Sequence, residues 1–165
     1  MSKFILNNQH ISVADIQRVL QDNLTVELST DCIEKIQKCR TYLDNKIAES
    51  DELIYGVNTG FGSLCNTAIS KDDLAQLQLN LVRSHACGTG DTVQPEVVRI
   101  MLLLKAIGLS FGHSGVQVAT VERLLFYFNQ AICPVVYEQG SLGASGDLAP
   151  LAHIALSLLG EGEVN

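Results

Sequence analysis

Gly140-Ser141-Leu142-Gly143-Ala144-Ser145-Gly146-Asp147-Leu148-Ala149-Pro150-Leu151-Ala152 opens as a glycine-rich turn and runs into an apolar stretch that reaches Leu159 before Gly160. The stretch predicts a helix from about Asp147 to Gly160. Pro150 fits there because its missing N–H falls in the first turn, where backbone amides lack helical partners in any case. Glycine-rich loop followed by apolar helix is the pattern of most of the chain, and it predicts a mainly α-helical fold.

Working outward, Val13 to Gln21 reads as a helix with Ser12 as N-cap and Asp15 three residues on. A second helix starts after Thr30, with Ile33, Ile36, Leu43 and Ile47 on one face. Ser70 caps a third, whose buried stripe is Leu74, Leu77 and Leu81, widened by Leu79. Pro95 starts a fourth that continues to about Leu109, and a fifth spans roughly Val116 to Ala131. Strand is expected at most near Val135-Val136. The fourth and last helices are apolar nearly all round, and a helix without a polar face needs cover on every side. That predicts a larger assembly. Glu161-Gly162-Glu163-Val164-Asn165, after the glycine stop, reads as a truncation with no closing element.

Length and composition bound the function. At 165 residues, 47% hydrophobic and 18% charged, the chain reads as one globular domain over 1–165. A net charge of −7 with no Lys/Arg cluster argues against nucleic acid or an anionic membrane as partner. No secretory signal or membrane span is legible, so a soluble cytoplasmic protein is expected. Cys32, Cys39, Cys65, Cys87 and Cys133 are odd in number and lack C-x-x-C spacing, which favours reduced thiols over disulfides or zinc.

Two loops carry possible chemistry. Tyr55-Gly56-Val57-Asn58-Thr59-Gly60-Phe61-Gly62 lacks the third glycine of a dinucleotide fingerprint and the Gly-Lys-Ser/Thr of a P-loop. On generic motifs alone it is equally a structural turn. In the second loop, Ser145 fails the G-x-S-x-G elbow because Gly146 follows it directly. It could simply cap the helix. Ala144-Ser145-Gly146 also permits a backbone reaction. In a tight bend the Gly146 nitrogen attacks the Ala144 carbonyl carbon, an approach any Cβ would block. Loss of one water closes a five-membered ring, and loss of a second from Ser145 leaves an exocyclic methylidene. The product, 4-methylideneimidazol-5-one, is an electrophile that no ordinary side chain provides. A helix starting at Asp147 would favour negative charge developing on that ring.

With these loops and a third segment, Leu81-Val82-Arg83-Ser84-His85-Ala86-Cys87-Gly88, the chain resembles the aromatic amino acid ammonia-lyase and aminomutase family. The three segments occur in the family's order and at similar spacing, and the likeness covers nearly the whole chain. The resemblance implies an all-α enzyme, longer than this chain, with a central helical bundle and composite active sites in a homotetramer. It implies that Ala144, Ser145 and Gly146 form the methylidene-imidazolone, that no metal or nucleotide is needed, and that ammonia is eliminated from an amino acid to leave an α,β-unsaturated acid. Substrate attacks the methylidene through its amine or its ring, and a base removes the β-hydrogen. By resemblance Tyr55 is that base, a role that needs positive potential or hydrogen bonds to its phenolate. Ser84 and His85 occupy the pair facing the substrate side chain. Ser-His resembles the histidine-specific members, where an imidazole needs polar partners; Phe-Leu and His-Leu mark the phenylalanine and tyrosine lyases. Gly62 would let the backbone approach the substrate carboxylate, Asn58 is a further substrate contact, and Asp147 would hold the turn or handle a proton during ring formation. His10, His113 and His153 are read as structural. Rival readings are a phenylalanine or tyrosine lyase, an aminomutase, or a helical interaction module with an unmodified Ala-Ser-Gly turn.

Overall fold

The computed structural model describes residues 2–50, 52–141, 143–144 and 146–165. Among them are six α-helices and four short strands, so the fold is mainly helical. The chain divides into two compact units, residues 1–43, 94–134 and 164–165 in one, and residues 44–93 and 135–163 in the other.

In the first unit β1 (Lys3–Leu6) and β2 (Thr25–Leu28) pair in parallel, Lys3 opposite Thr25 through Leu6 opposite Leu28. Between them α1 (Val13–Gln21) has the expected bounds. Ser12 Oγ accepts the Asp15 amide at 3.2 Å and Asp15 Oδ2 accepts the Ser12 amide at 3.0 Å, a reciprocal cap. The open edge of β2 is completed by a side chain: Asn129 Oδ1 accepts from Val26 N–H at 2.9 Å and Asn129 Nδ2 donates to Val26 O at 3.0 Å. The core is drawn from β1, β2, α1, the start of α2 (Thr30–Glu49), α4 (Pro95–Ser110) and α5 (Val118–Asn129). Leu6, Val26, Leu102, Val121 and Phe128 are almost wholly buried in it. The Arg99 guanidinium stacks 4.8 Å from the Phe128 ring centroid.

In the second unit, Ser70 caps a 3-10 turn (Lys71–Asp73) that runs into α3 (Leu74–His85). β3 (Thr89–Thr92) pairs antiparallel with β4 (Tyr137–Gln139), and α6 (Ala149–Leu158) packs against α3. Pro150 lies in the first turn of α6.

Several expectations are corrected. Strand is not confined to Val135-Val136, which lie just before β4; the four-residue strands Lys3–Leu6 and Thr25–Leu28 are stabilised by a pairing more than 20 positions apart, which no local pattern signals. α5 is shorter than expected at both ends, and α6 begins at Ala149 rather than Asp147. Leu74, Leu77, Leu79 and Leu81 of α3 are half-buried, not buried. α4 buries Val98, Leu102, Leu103 and Ala106 but leaves Val97 and Leu104 nearly half exposed. A closing pairing is present where none was expected after Gly160: Asn165 N–H donates to Cys133 O at 2.8 Å and Cys133 N–H to Asn165 O at 3.1 Å. Among the described residues no helix is long and apolar enough to cross a membrane.

Candidate active site

α3 ends at His85 and α6 begins at Ala149, and because the two helices pack together their ends define one cavity of about 330 Å³. Ser84, His85 and Cys87 line one side; Ser141, Ala144, Gly146 and Leu148 line the other. The structure therefore brings together two of the three sequence segments. Larger depressions of about 410 and 550 Å³ lie in the first unit, where no recognised motif falls.

The Ala144–Gly146 segment is bent. Gly146 N–H donates to Gly143 O at 3.1 Å, and Gly146 has φ +85°, a backbone state that favours glycine. Ser145, whose hydroxyl would leave as the second water, lies outside the described residues. Asp147 braces the bend from outside. Its Oδ1 accepts the Ser141 amide at 2.9 Å and the Ala149 amide at 3.0 Å, so one carboxylate oxygen links the loop to the first turn of α6.

On the facing wall, His85 Nδ1 lies 2.9 Å from Leu81 O. A carbonyl can only accept, so Nδ1 carries a proton, and in the neutral ring Nε2 is left with the lone pair. Ser84 Oγ donates to the same carbonyl at 3.0 Å and lies 3.1 Å from His85 Nδ1. The pair is thus anchored to the last turn of α3, with an imidazole oriented for a polar partner.

The Tyr55 loop is not brought into this cavity. Tyr55 is 64% exposed and packs edge-on against Phe61, centroids 5.9 Å apart. Asn58 is engaged locally: Oδ1 accepts Ile54 N–H at 2.6 Å and Nδ2 donates to Glu52 O at 2.9 Å, which makes it a brace of the loop. Gly62, with φ +57°, opens a 3-10 turn, and a Cβ there would meet nothing within 4 Å. Gln78 of α3 ties the loop back by donating to Gly56 O at 3.4 Å.

Cys87, Ser141 and Leu148 were not singled out by the sequence reading. The first follows His85 by two positions and the others sit inside the quoted loop, so nearness to the motifs was the available signal. His153, read as structural, accepts Gly88 N–H on Nε2 at 3.0 Å and packs edge-on to Tyr137; burial pushes its pKa below the usual histidine value. Arg83 forks onto Glu161, and that pairing holds the Glu161 carboxyl below the ordinary carboxylate range.

Known proteins share this framework. Histidine ammonia-lyase of Geobacillus thermodenitrificans is 50% identical over 160 residues, 97% of this chain and 32% of that protein. Among solved structures, tyrosine aminomutase of Streptomyces globisporus superposes with a TM-score of 0.88 at 36% identity, over 98% of this chain and 30% of its own. Histidine ammonia-lyase of Trypanosoma cruzi does so with a TM-score of 0.83 at 36% identity, over 97% of this chain and 30% of its own. The chain spans about a third of the length of the curated relatives it matches. The sequence profile of the aromatic amino acid lyase family fits residues 11–165, and on that match the chain belongs to the aromatic amino acid lyase family.

Proposed function

We propose that this chain supplies the electrophile-bearing and substrate-selecting part of a histidine ammonia-lyase, which eliminates ammonia from L-histidine to give urocanate. The observation that carries the reading is the shared cavity, which Ser84 and His85 line together with Ala144 and Gly146. Relatives named histidine ammonia-lyase at 42–50% identity support the choice of substrate.

Ala144, Ser145 and Gly146 are the atoms from which the methylidene-imidazolone would form, and when present that group supplies an electrophile for the substrate. The turn closed by Gly146 and Gly143, and the Asp147 brace, fit its formation. His85 then binds the substrate imidazole, with Nε2 as acceptor for its N–H, and Ser84 fixes the His85 ring. Tyr55 is the base for the β-hydrogen, with the Gly62 backbone nearer the carboxylate end and Asn58, a further substrate contact in this reading, bracing the loop that carries both. Tyr55 stands outside the cavity here, so this role requires the site to be completed by further polypeptide. The relatives' greater length and the exposed apolar residues Val97, Leu104 and Leu151 support an assembly, a homotetramer in our reading, that provides such cover. On this reading the 165 residues alone release little ammonia, and the protein is cytoplasmic, acting on a small amino acid without nucleic acid or membrane. The likeness to a tyrosine aminomutase favours one second reading, in which ammonia is added back to the unsaturated acid.

The test is to purify the protein as its gene encodes it and supply L-histidine, L-tyrosine and L-phenylalanine separately. Urocanate absorbance with L-histidine alone is expected, together with an intact mass lower by two waters that maps to residues 140–150. A β-amino acid product would favour the aminomutase reading. An unmodified mass with no ammonia from any of the three would overturn both.

A further inference from the structure

The segment from Arg83 to Gly88 carries Ser84 and His85, and it is no longer helical beyond His85. Ala86 has φ −79° and ψ 61°, and its amide donates to Val82 O at 3.0 Å. Past that bond only Ala86, Cys87 and Gly88 separate α3 from β3, and both ends of the segment are fastened to the α6 side of the unit. At one end Arg83 Nε donates to Glu161 Oε1 at 3.2 Å and to Oε2 at 3.0 Å, and a terminal guanidinium nitrogen also reaches Oε1. At the other end Gly88 N–H donates to His153 Nε2 at 3.0 Å. His153 lies in the middle of α6 and Glu161 just past its end, while the Ala144–Gly146 bend leads into the start of the same helix. α6 is held firmly, with Ala152, Ile154 and Ser157 buried.

We propose that Glu161 and His153 are positioning residues, which grip the two ends of the 83–88 segment and set Ser84 and His85 in register with the Ala144–Gly146 bend. The inference rests on the function proposed above. An exposed ion pair contributes little to stability, so the value of the Arg83–Glu161 fork is directional: two parallel bonds fix an angle that a single contact would leave free. Recognition of a substrate imidazole by one ring nitrogen needs such fixing, because a displacement of roughly 1 Å costs on the order of a hundredfold in rate.

The test uses the protein as its gene encodes it, with Glu161→Ala and His153→Ala, and the milder Glu161→Gln and His153→Leu, which fill the space without the ion pair or the Gly88 acceptor, in case the alanine variants fold poorly. Three readouts are taken: kcat and KM for L-histidine and L-tyrosine, hydrogen exchange of amides 84–88, and the two-water mass loss. The expected result is faster exchange over 84–88 and a higher KM for L-histidine. The preference for L-histidine over L-tyrosine should fall roughly 10- to 100-fold while the mass loss is retained. The swapped pair Arg83→Glu with Glu161→Arg should recover part of that preference. Unchanged exchange and unchanged preference in both variants would overturn the proposal. If the unmutated protein does not act on L-histidine, the functional reading fails by itself, and exchange at Gly88 and its neighbours then decides whether the segment is gripped.

Discussion

Ser141 and Asp147 are joined across the bend that lies between them: the Ser141 amide donates to Asp147 Oδ1 at 2.9 Å, and that same oxygen accepts the Ala149 amide. A single side-chain oxygen thus closes the loop and serves the first turn of α6. Asp147→Ala should lower stability by about 1 kcal/mol, the usual cost of losing such an acceptor at a helix start. It should also reduce the fraction of chains lighter by two waters. Asp147→Asn retains an acceptor oxygen and should keep most of the stability. Thermal unfolding and intact mass read both effects; equal losses in the two variants would show that charge, and not the bridging bonds, is what matters.

Gly146→Ala separates backbone state from space. A Cβ at Gly146 would meet nothing within 4 Å, so no clash arises, but φ of +85° is a conformation that L-residues resist. The expected cost is about 1–2 kcal/mol, or a change of backbone that abolishes the bend. In either case the two-water mass loss should disappear. A variant that keeps the full mass loss and full stability would show that ring closure does not depend on this backbone state.

Gly88→Ala tests the opposite situation. There a Cβ would stand 2.9 Å from His153 Nε2 and 3.1 Å from the Tyr137 Cβ, too close for either neighbour to stay where it is. Overpacking of this kind costs about 1–3 kcal/mol. The Tyr137–His153 ring contact, with centroids 5.2 Å apart, should be disturbed first. A drop in melting temperature with loss of the tyrosine's near-ultraviolet dichroism is expected, and an unchanged melting temperature would contradict the packing described here.

What could be read in advance follows from the range of the forces. α1 was legible to the residue because its cap, Ser12 with Asp15, is a local exchange of hydrogen bonds written into four consecutive positions. The start of α4 was legible from Pro95 for the same reason. The parallel pairing of β1 with β2 was not, since Lys3–Leu6 and Thr25–Leu28 are stabilised mainly by each other and by Asn129. In the site, the positive φ of Gly146 falls inside the glycine-rich loop quoted from the sequence, and Ser84-His85 inside the segment that carries the family resemblance. The grip on Gly88 by His153 could not be foreseen, because it joins positions 65 apart through a histidine with no motif around it. Asn58 shows the converse: a polar residue in a recognised loop whose amide is taken up by the loop's own backbone.

His153 also predicts how stability responds to acid. Burial pushes its pKa below the ordinary value of 6.5, and only the neutral ring can accept the Gly88 N–H on Nε2. Below about pH 6.5 the unfolded chain takes up a proton here that the folded chain resists, so the unfolded state binds more protons and stability falls with pH. The contribution is whole above the unfolded value and is lost as pH falls through the lower, folded value. The carboxyls of Asp15, Asp31, Glu52 and Glu161 are held below their usual range by their own partners and so titrate at more acidic pH, below this window. His153→Gln removes the titration while leaving a side chain that can still accept from Gly88. Melting temperature measured from pH 7.5 downward should therefore decline less steeply just below pH 6.5 in His153→Gln than in the unmutated protein; the same slope in both would mean that the buried imidazole is not the group that titrates there.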